Sequence, residues 1–176
     1  TWTPTTPGQH QISAYVIDER YADEETPHLK VTAVYSALQS WRITHFGSHL
    51  GTGDAADNAD ADHDSYGNLM EWFMGRNPVI NESISAPQVT VDDFEISVTL
   101  SRSDSAEAAG VFTLEWSTDL LNWHPVLLPA ASGVAEDGVS ITVQENSTAN
   151  DSIVVHIPRA NAPSGRLMAR LRATMP

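Results

Sequence analysis

Polar and apolar positions change their period twice along the 176 residues. Over residues 1–35 the pattern is strand-like. Ile12, Ala14 and Val16, then Leu29, Val31, Ala33 and Tyr35, alternate with more polar neighbours, as in a half-buried strand. The acidic stretch DERYADEETP at 18–27 separates the two runs and reads as a solvated connection, so a β-hairpin is predicted. Such a hairpin is not stable alone in water, and its apolar face needs cover. From residue 37 to about 77 the period turns helical: Leu38, Trp41 and His45/Phe46 recur three and four apart, and Gly47 stands where a helix ends. A second short helix is predicted over 68–74, with Leu69, Trp72 and Phe73 as its apolar face and Gly75 and Pro78 as its stop. Alternation then returns from about 88 to 174, with strands expected near 89–91, 94–100, 111–117, 123–128, 138–144, 152–157 and 166–174. Polar turns at 102–110 and 136–138 join them. Seven short strands at that spacing argue for an antiparallel β-sandwich over 88–176, long enough to fold independently.

Charge and composition narrow the function classes. Lys+Arg number 9 against Asp+Glu 23, a formal net charge of −14. The cations are Lys30 and eight arginines, four of them between 159 and 172, and a phosphate backbone is not the expected partner of such a chain. With 41% apolar and 18% charged residues the chain can bury a core, and no apolar run approaches the ~20 residues that span a bilayer. The lack of cysteine excludes a disulfide scaffold, a thiol nucleophile, Cys-ligated zinc and iron–sulfur clusters, leaving burial or a bound ion to supply stability. The first residue is Thr, so a processed product or an excerpt is expected, while the strand-like RLMARLRAT before Pro176 reads as a natural end.

One segment carries chemistry. DAADNADADHDSYGNLMEW places Asp54, Asp57, Asp60, Asp62, Asp64 and Glu71 within eighteen positions. Such crowding is repulsive unless a cation sits among the carboxylates. With Asp60 as the first residue of a twelve-residue loop, the EF-hand ligand positions 1, 3, 5, 7, 9 and 12 fall on Asp60, Asp62, Asp64, Tyr66, Asn68 and Glu71. The three aspartates offer carboxylates, Tyr66 its backbone carbonyl, Asn68 an oxygen or a bound water, and Glu71 two oxygens from the first turn of the following helix. An all-oxygen set of six or seven donors selects Ca²⁺ over zinc or copper, and over the strictly octahedral Mg²⁺. Ser65 replaces the glycine of the sharp sixth position; if that turn needs φ > 0, serine costs roughly 1 kcal/mol. An affinity on the order of 10⁻⁵ to 10⁻³ M is expected. Against this stands the plainer alternative of an acidic, solvated loop.

These residues resemble known modules. The order from Trp41 through DADHDSYGNLMEWFMGRNP resembles the single dockerin-like or thrombospondin type 3-like calcium segment near the C-terminus of large secreted and surface proteins of environmental bacteria. In that family a Leu-bearing helix, a Gly and an Asn-Pro follow the loop, supplied here by Leu69, Gly75, Asn77 and Pro78. The sequence departs from that family at Ser65, and at His63 where glycine is frequent. A true dockerin carries two loops; one is present here, which argues against cohesin docking. WTPTTPGQHQISAYVIDE resembles the closing strands of a bacterial immunoglobulin-like domain, and FTLEWSTDLLNWHPV with RLMARLRAT resembles the β-sandwich that follows the calcium segment in the same proteins. The resemblance implies an extracellular or cell-surface bacterial location and no catalytic role.

Other features carry less. His45 and His49 are four apart, but Gly47 interrupts the helix between them, no third ligand is placed, and solvent-exposed histidines are expected. No Gly-x-Ser-x-Gly elbow appears, and Asp92–Asp93 and 23–25 read as turn and solubility residues. Trp116 and Trp123 could form an aromatic platform for a sugar, although tryptophan at strand spacing is more often core. The sequons at Asn81, Asn146 and Asn150 matter only in a host that glycosylates them. The sequence therefore divides into a hairpin at 1–36, a calcium-binding helix–loop–helix at 37–80 and a sandwich, immunoglobulin-like by resemblance, at 88–176. The expected function is a non-enzymatic structural or adhesive module that joins neighbouring domains or other copies of itself by completing a sheet through residues 1–36. The alternative is an accessory carbohydrate-binding region of a polysaccharide-degrading enzyme.

Overall fold

The computed structural model describes residues 8–12, 29–82, 87–107, 109–147 and 150–174. The chain divides into two compact units, Thr1–Ser36 and Ala37–Pro176. In the first, β1 (Gly8–Ile12) pairs antiparallel with β2 (Leu29–Ala33), in a register that sets Gly8 opposite Ala33 and Ile12 opposite Leu29. The strand positions expected at Ala14 and Val16 and the acidic connection at 18–27 lie outside the described residues.

The second unit is mainly β, with two antiparallel sheets on one core. Its strands are β3 (Gln88–Val91), β4 (Glu95–Arg102), β5 (Val111–Ser117), β6 (His124–Leu127), β7 (Gly133–Val134), β8 (Ser140–Gln144), β9 (Asp151–Pro158) and β10 (Met168–Thr174). One sheet runs β10-β5-β6 and the other β3-β4-β9-β8-β7. The alternation that marks strands in the sequence is the alternation of burial: along β9, Asp151, Ile153, Val155 and Ile157 face inward while the residues between them are half-buried. Val98, Leu100 and Ile141 complete that face, and Phe112, Leu114, Trp116 and Val126 meet it from the smaller sheet. Each such side chain contributes about 1.5–3 kcal/mol when taken fully out of water. The stretch at 102–110, expected as a polar turn, carries a one-turn helix α3 (Asp104–Glu107) that buries Ala106.

Two earlier helices belong to the same unit. The first, α1 (Ala37–Phe46), ends where Gly47 takes φ 70° and its N–H bonds Ile43 C=O at 2.9 Å. The second, α2 (Asn68–Met74), inserts Trp72, Phe73 and Met74 into the core that the sheets share, with the Phe73 ring stacked on Phe112 at 3.9 Å between centroids. The last carbonyls of α2 are then fastened to β4 and the chain beyond it. Ser103 Oγ donates to Trp72 C=O at 2.7 Å, Ser103 N–H to Phe73 C=O at 2.7 Å, and Ser101 Oγ to Met74 C=O at 2.6 Å. Gly75 closes the helix at φ 69°, and a Cβ there would fall 2.1–2.5 Å from the Asn150 amide. Only glycine fits on both counts. The sequence divides 37–80 from 88–176, yet the two stretches share one core. An apolar helix face as short as that of α2 needs cover, and the sheets supply it.

Candidate metal centre

The loop between the 3₁₀ turn at Gly53–Ala55 and α2 brings three of the predicted ligands together: one carboxylate oxygen from each of Asp60, Asp62 and Asp64 lies within 4.8 Å of the others. The curl that does this is built locally. Asp60 Oδ1 and Asp62 Oδ1 both accept the Asp64 N–H at 3.1 Å, Asp60 Oδ2 accepts the Ser65 N–H at 3.0 Å, and Asp64 Oδ1 accepts the Tyr66 N–H at 3.0 Å. Ser65 takes φ 78° and His63 φ 63°, so the sixth position adopts the left-handed conformation that its missing glycine would favour.

The remaining predicted ligands sit at the start of α2. Asn68 is 1% exposed, and its Nδ2 donates to the carbonyls of Asp54 and Ala56, both at 2.7 Å, tying the helix start to the preceding turn. The Asn68 N–H also bonds Ala59 C=O at 2.9 Å. Glu71 is 0% exposed and lies outside the close aspartate trio. Tyr66, half-buried, follows Ser65 in the loop. Among the described residues, four oxygens here are buried without a hydrogen-bond donor: Asp62 Oδ2, Asn68 Oδ1, and Oε1 and Oε2 of Glu71. Every one is an acceptor. Burial first, then repulsion from Asp62 and Asp64, pushes the Glu71 carboxyl up to about 7, with Arg76 pulling the other way. Burial also raises Asp62, against the opposing hydrogen bond from the Asp64 backbone.

A buried acceptor without a donor costs about 1–3 kcal/mol, more when charged. A divalent cation relieves several such acceptors at once, whereas a single hydrogen-bond donor relieves one. The donor set is hard oxygen throughout, so the residues present fit a cation of the calcium class and offer nothing to a soft metal.

Sequence reasoning missed the groups that close the loop from outside. The Arg76 guanidinium donates from Nη2 to Asp64 Oδ2 at 2.6 Å, and its carbon lies 4.5 Å from the Tyr66 ring centre. Asn81 Nδ2 donates to the carbonyl of His63 at 3.2 Å and to that of Asp62 at 3.4 Å. Arg42 pairs with Asp57 at the loop's entry. One signal was available: Arg76 is the only Lys or Arg between Arg42 and Arg102, directly after the helix-ending glycine.

The tryptophans weighed for carbohydrate lie elsewhere. Trp116 is 3% exposed and stacks on His124 at 4.1 Å between centroids, and a ring so buried has no face to offer from solvent. Trp123 is half-buried, with the Arg170 guanidinium carbon 3.9 Å from its ring centre and its Nε1 donating to Leu120 C=O at 3.2 Å. His45 and His49, expected at the surface, are both half-buried, His45 against Trp41 at 4.8 Å between ring centroids.

No family model matches this chain, and no curated protein and no solved structure matches it.

Proposed function

We propose that the chain is a non-enzymatic calcium-binding structural module of an extracellular or cell-surface bacterial protein, with Asp60, Asp62, Asp64, Tyr66, Asn68 and Glu71 as ligands. The observation that carries this reading is the set of four buried acceptor oxygens without donors beside three converging aspartates. Oxygen donors in that number, on a curled loop that enters a helix, favour calcium among common cations. Because Glu71 directly precedes three core residues of the same short helix, Trp72, Phe73 and Met74, an ion held by Glu71 stiffens the sheet packing as well as the loop. The dockerin-like pattern of residues 40–78 supports the extracellular setting.

The two-stranded β1–β2 sheet supports a further part of this reading, assembly with neighbouring domains or second copies through residues 1–36. Two strands alone are marginal, and strand addition is a standard remedy.

Calorimetry of chelator-stripped protein titrated with CaCl₂, alongside melting with and without the ion, tests the calcium reading. Binding at 10⁻⁵ to 10⁻³ M and a higher melting temperature are expected; a flat titration and an unmoved melt refute it. For assembly, light scattering of the full chain is compared with that of residues 37–176. Association that persists in the shorter chain removes the role given to 1–36.

A further inference from the structure

Arg76 reaches the loop because Gly75 turns the chain back at the end of α2. The Arg76 N–H bonds Glu71 C=O at 2.8 Å, and the side chain then lies along the loop, 3% exposed against 0% for the Asp64 side chain it meets. Nη2 also donates to Glu82 C=O, and Nε stands 3.7 Å from Glu82 Oε2. Through its carboxylate contact, its ring contact and its backbone, this residue touches Asp64, Tyr66 and Glu71, half of the proposed ligand set.

We infer that Arg76 is a built-in counter-cation that keeps the loop's calcium affinity low while holding the loop in shape without the ion. The inference rests on the calcium reading above. Two consequences of one charge run in opposite directions. Without calcium, the guanidinium offsets repulsion among Asp60, Asp62, Asp64 and Glu71 and donates to Asp64 Oδ2, so the curled loop costs less to maintain. With calcium, a fixed positive charge stands one carboxylate away from a divalent ion, which weakens binding by roughly tenfold even at the dielectric of water. Arg76 is thus a positioning and affinity-setting residue, not a ligand.

The test uses the full chain as wild type, Arg76→Gln and Arg76→Lys, each stripped with chelator, titrated with CaCl₂ by calorimetry and melted in chelator. Arg76→Gln should melt lower in chelator yet bind calcium about tenfold more tightly. Arg76→Lys, which keeps the charge without the planar fork, should stay within about threefold of the wild-type affinity. A purely structural arginine would give a different signature, with melting temperature and affinity falling together in both variants. If Arg76→Gln does not fold in chelator, its affinity is read from the calcium-loaded side by competition with a chelating dye, where stronger retention supports the inference and equal or weaker retention overturns it. A glutamine variant no tighter than wild type, or a lysine variant as tight as glutamine, overturns it alone. A wild-type chain that binds no calcium overturns the calcium reading and this inference with it.

Discussion

Two acidic clusters in the same compact unit differ in how far their charge is met. Glu107, Glu145 and Asp151 also bring carboxylate oxygens within 4.8 Å of one another, but Arg102 sits among them, its Nη2 at 2.6 Å from Asp151, 3.1 Å from Glu145 and 3.6 Å from Glu107. Arg102 stands directly across from Asp151 in the β4–β9 register and is 1% exposed, and its Nη1 also donates to Pro129 C=O at 2.6 Å. Around Asp60, Asp62, Asp64 and Glu71, Arg76 donates to one carboxylate oxygen, that of Asp64, and among the described residues four buried acceptors keep no donor. The number of acids alone does not distinguish the two clusters; how many of their buried acceptors meet a donor does.

Removing Asp151 gives the largest expected effect. Asp151→Ala leaves Arg102 buried with only the more exposed Glu145 and Glu107 as counter-charges, and breaking a buried pair from one side costs about 3–5 kcal/mol. Urea unfolding should show that loss equally in calcium and in chelator; a loss that calcium repairs would join the two clusters into one system. The pair also fixes an acid response. Burial alone would raise the Asp151 carboxyl, but hydrogen bonds from Arg102 and the Asn146 N–H, with the arginine's charge, bring it below the ordinary value. Its stabilising contribution is therefore present above the unfolded-state value of about 3.9 and is lost as pH falls through the lower folded-state one. Asp151→Ala should flatten that acid limb of the stability curve.

Glu71→Gln comes next and acts on the other cluster. It removes a fully buried charge that no donor meets, so stability in chelator should hold or rise. The gain from calcium should vanish; for a wild-type chain at an ion concentration 100 times Kd, that gain is about 2.7 kcal/mol. Melting of both proteins in both conditions gives the four numbers needed. A variant that keeps the full calcium gain removes Glu71 from the ligand set.

How much of this the sequence foretold varies with the range of the interaction involved. Local period was enough for α2, placed at 68–74, and for β5 at 111–117, both as observed. β7 has two residues and α3 four, too few for any period to register. Strand order was not legible either, because β4 lies beside β9, more than forty residues on in the chain, through backbone pairing that any alternating strand could make. In the loop, the every-second-residue aspartates announced their own convergence. Arg76 did not announce its partner, since Asp64 lies twelve residues back and the turn at Gly75 decides where the side chain points. Trp116 turned inward with Phe112 and Leu114, its partners at every second position of β5, on the face that meets the larger sheet, as its strand spacing indicated.

The smallest effect belongs to Ser65, where the loop departs from the EF-hand pattern. A non-glycine residue at φ 78° carries strain of about 1 kcal/mol, which Ser65→Gly relieves, while glycine's greater freedom in the unfolded chain takes back much of that gain. The net expectation is a rise in melting temperature of no more than about 2–4 °C. Where that rise falls is informative. The Ser65 N–H already bonds Asp60 Oδ2 at 3.0 Å, so the turn is formed by the loop's own hydrogen bonds, and the strain should be the same with and without calcium. Both melting curves should then shift together while the calcium Kd moves less than about threefold, since strain common to two states cancels from the equilibrium between them. A gain confined to the calcium-loaded protein, with a matching tightening of Kd, would mean that the ion itself forces the left-handed turn.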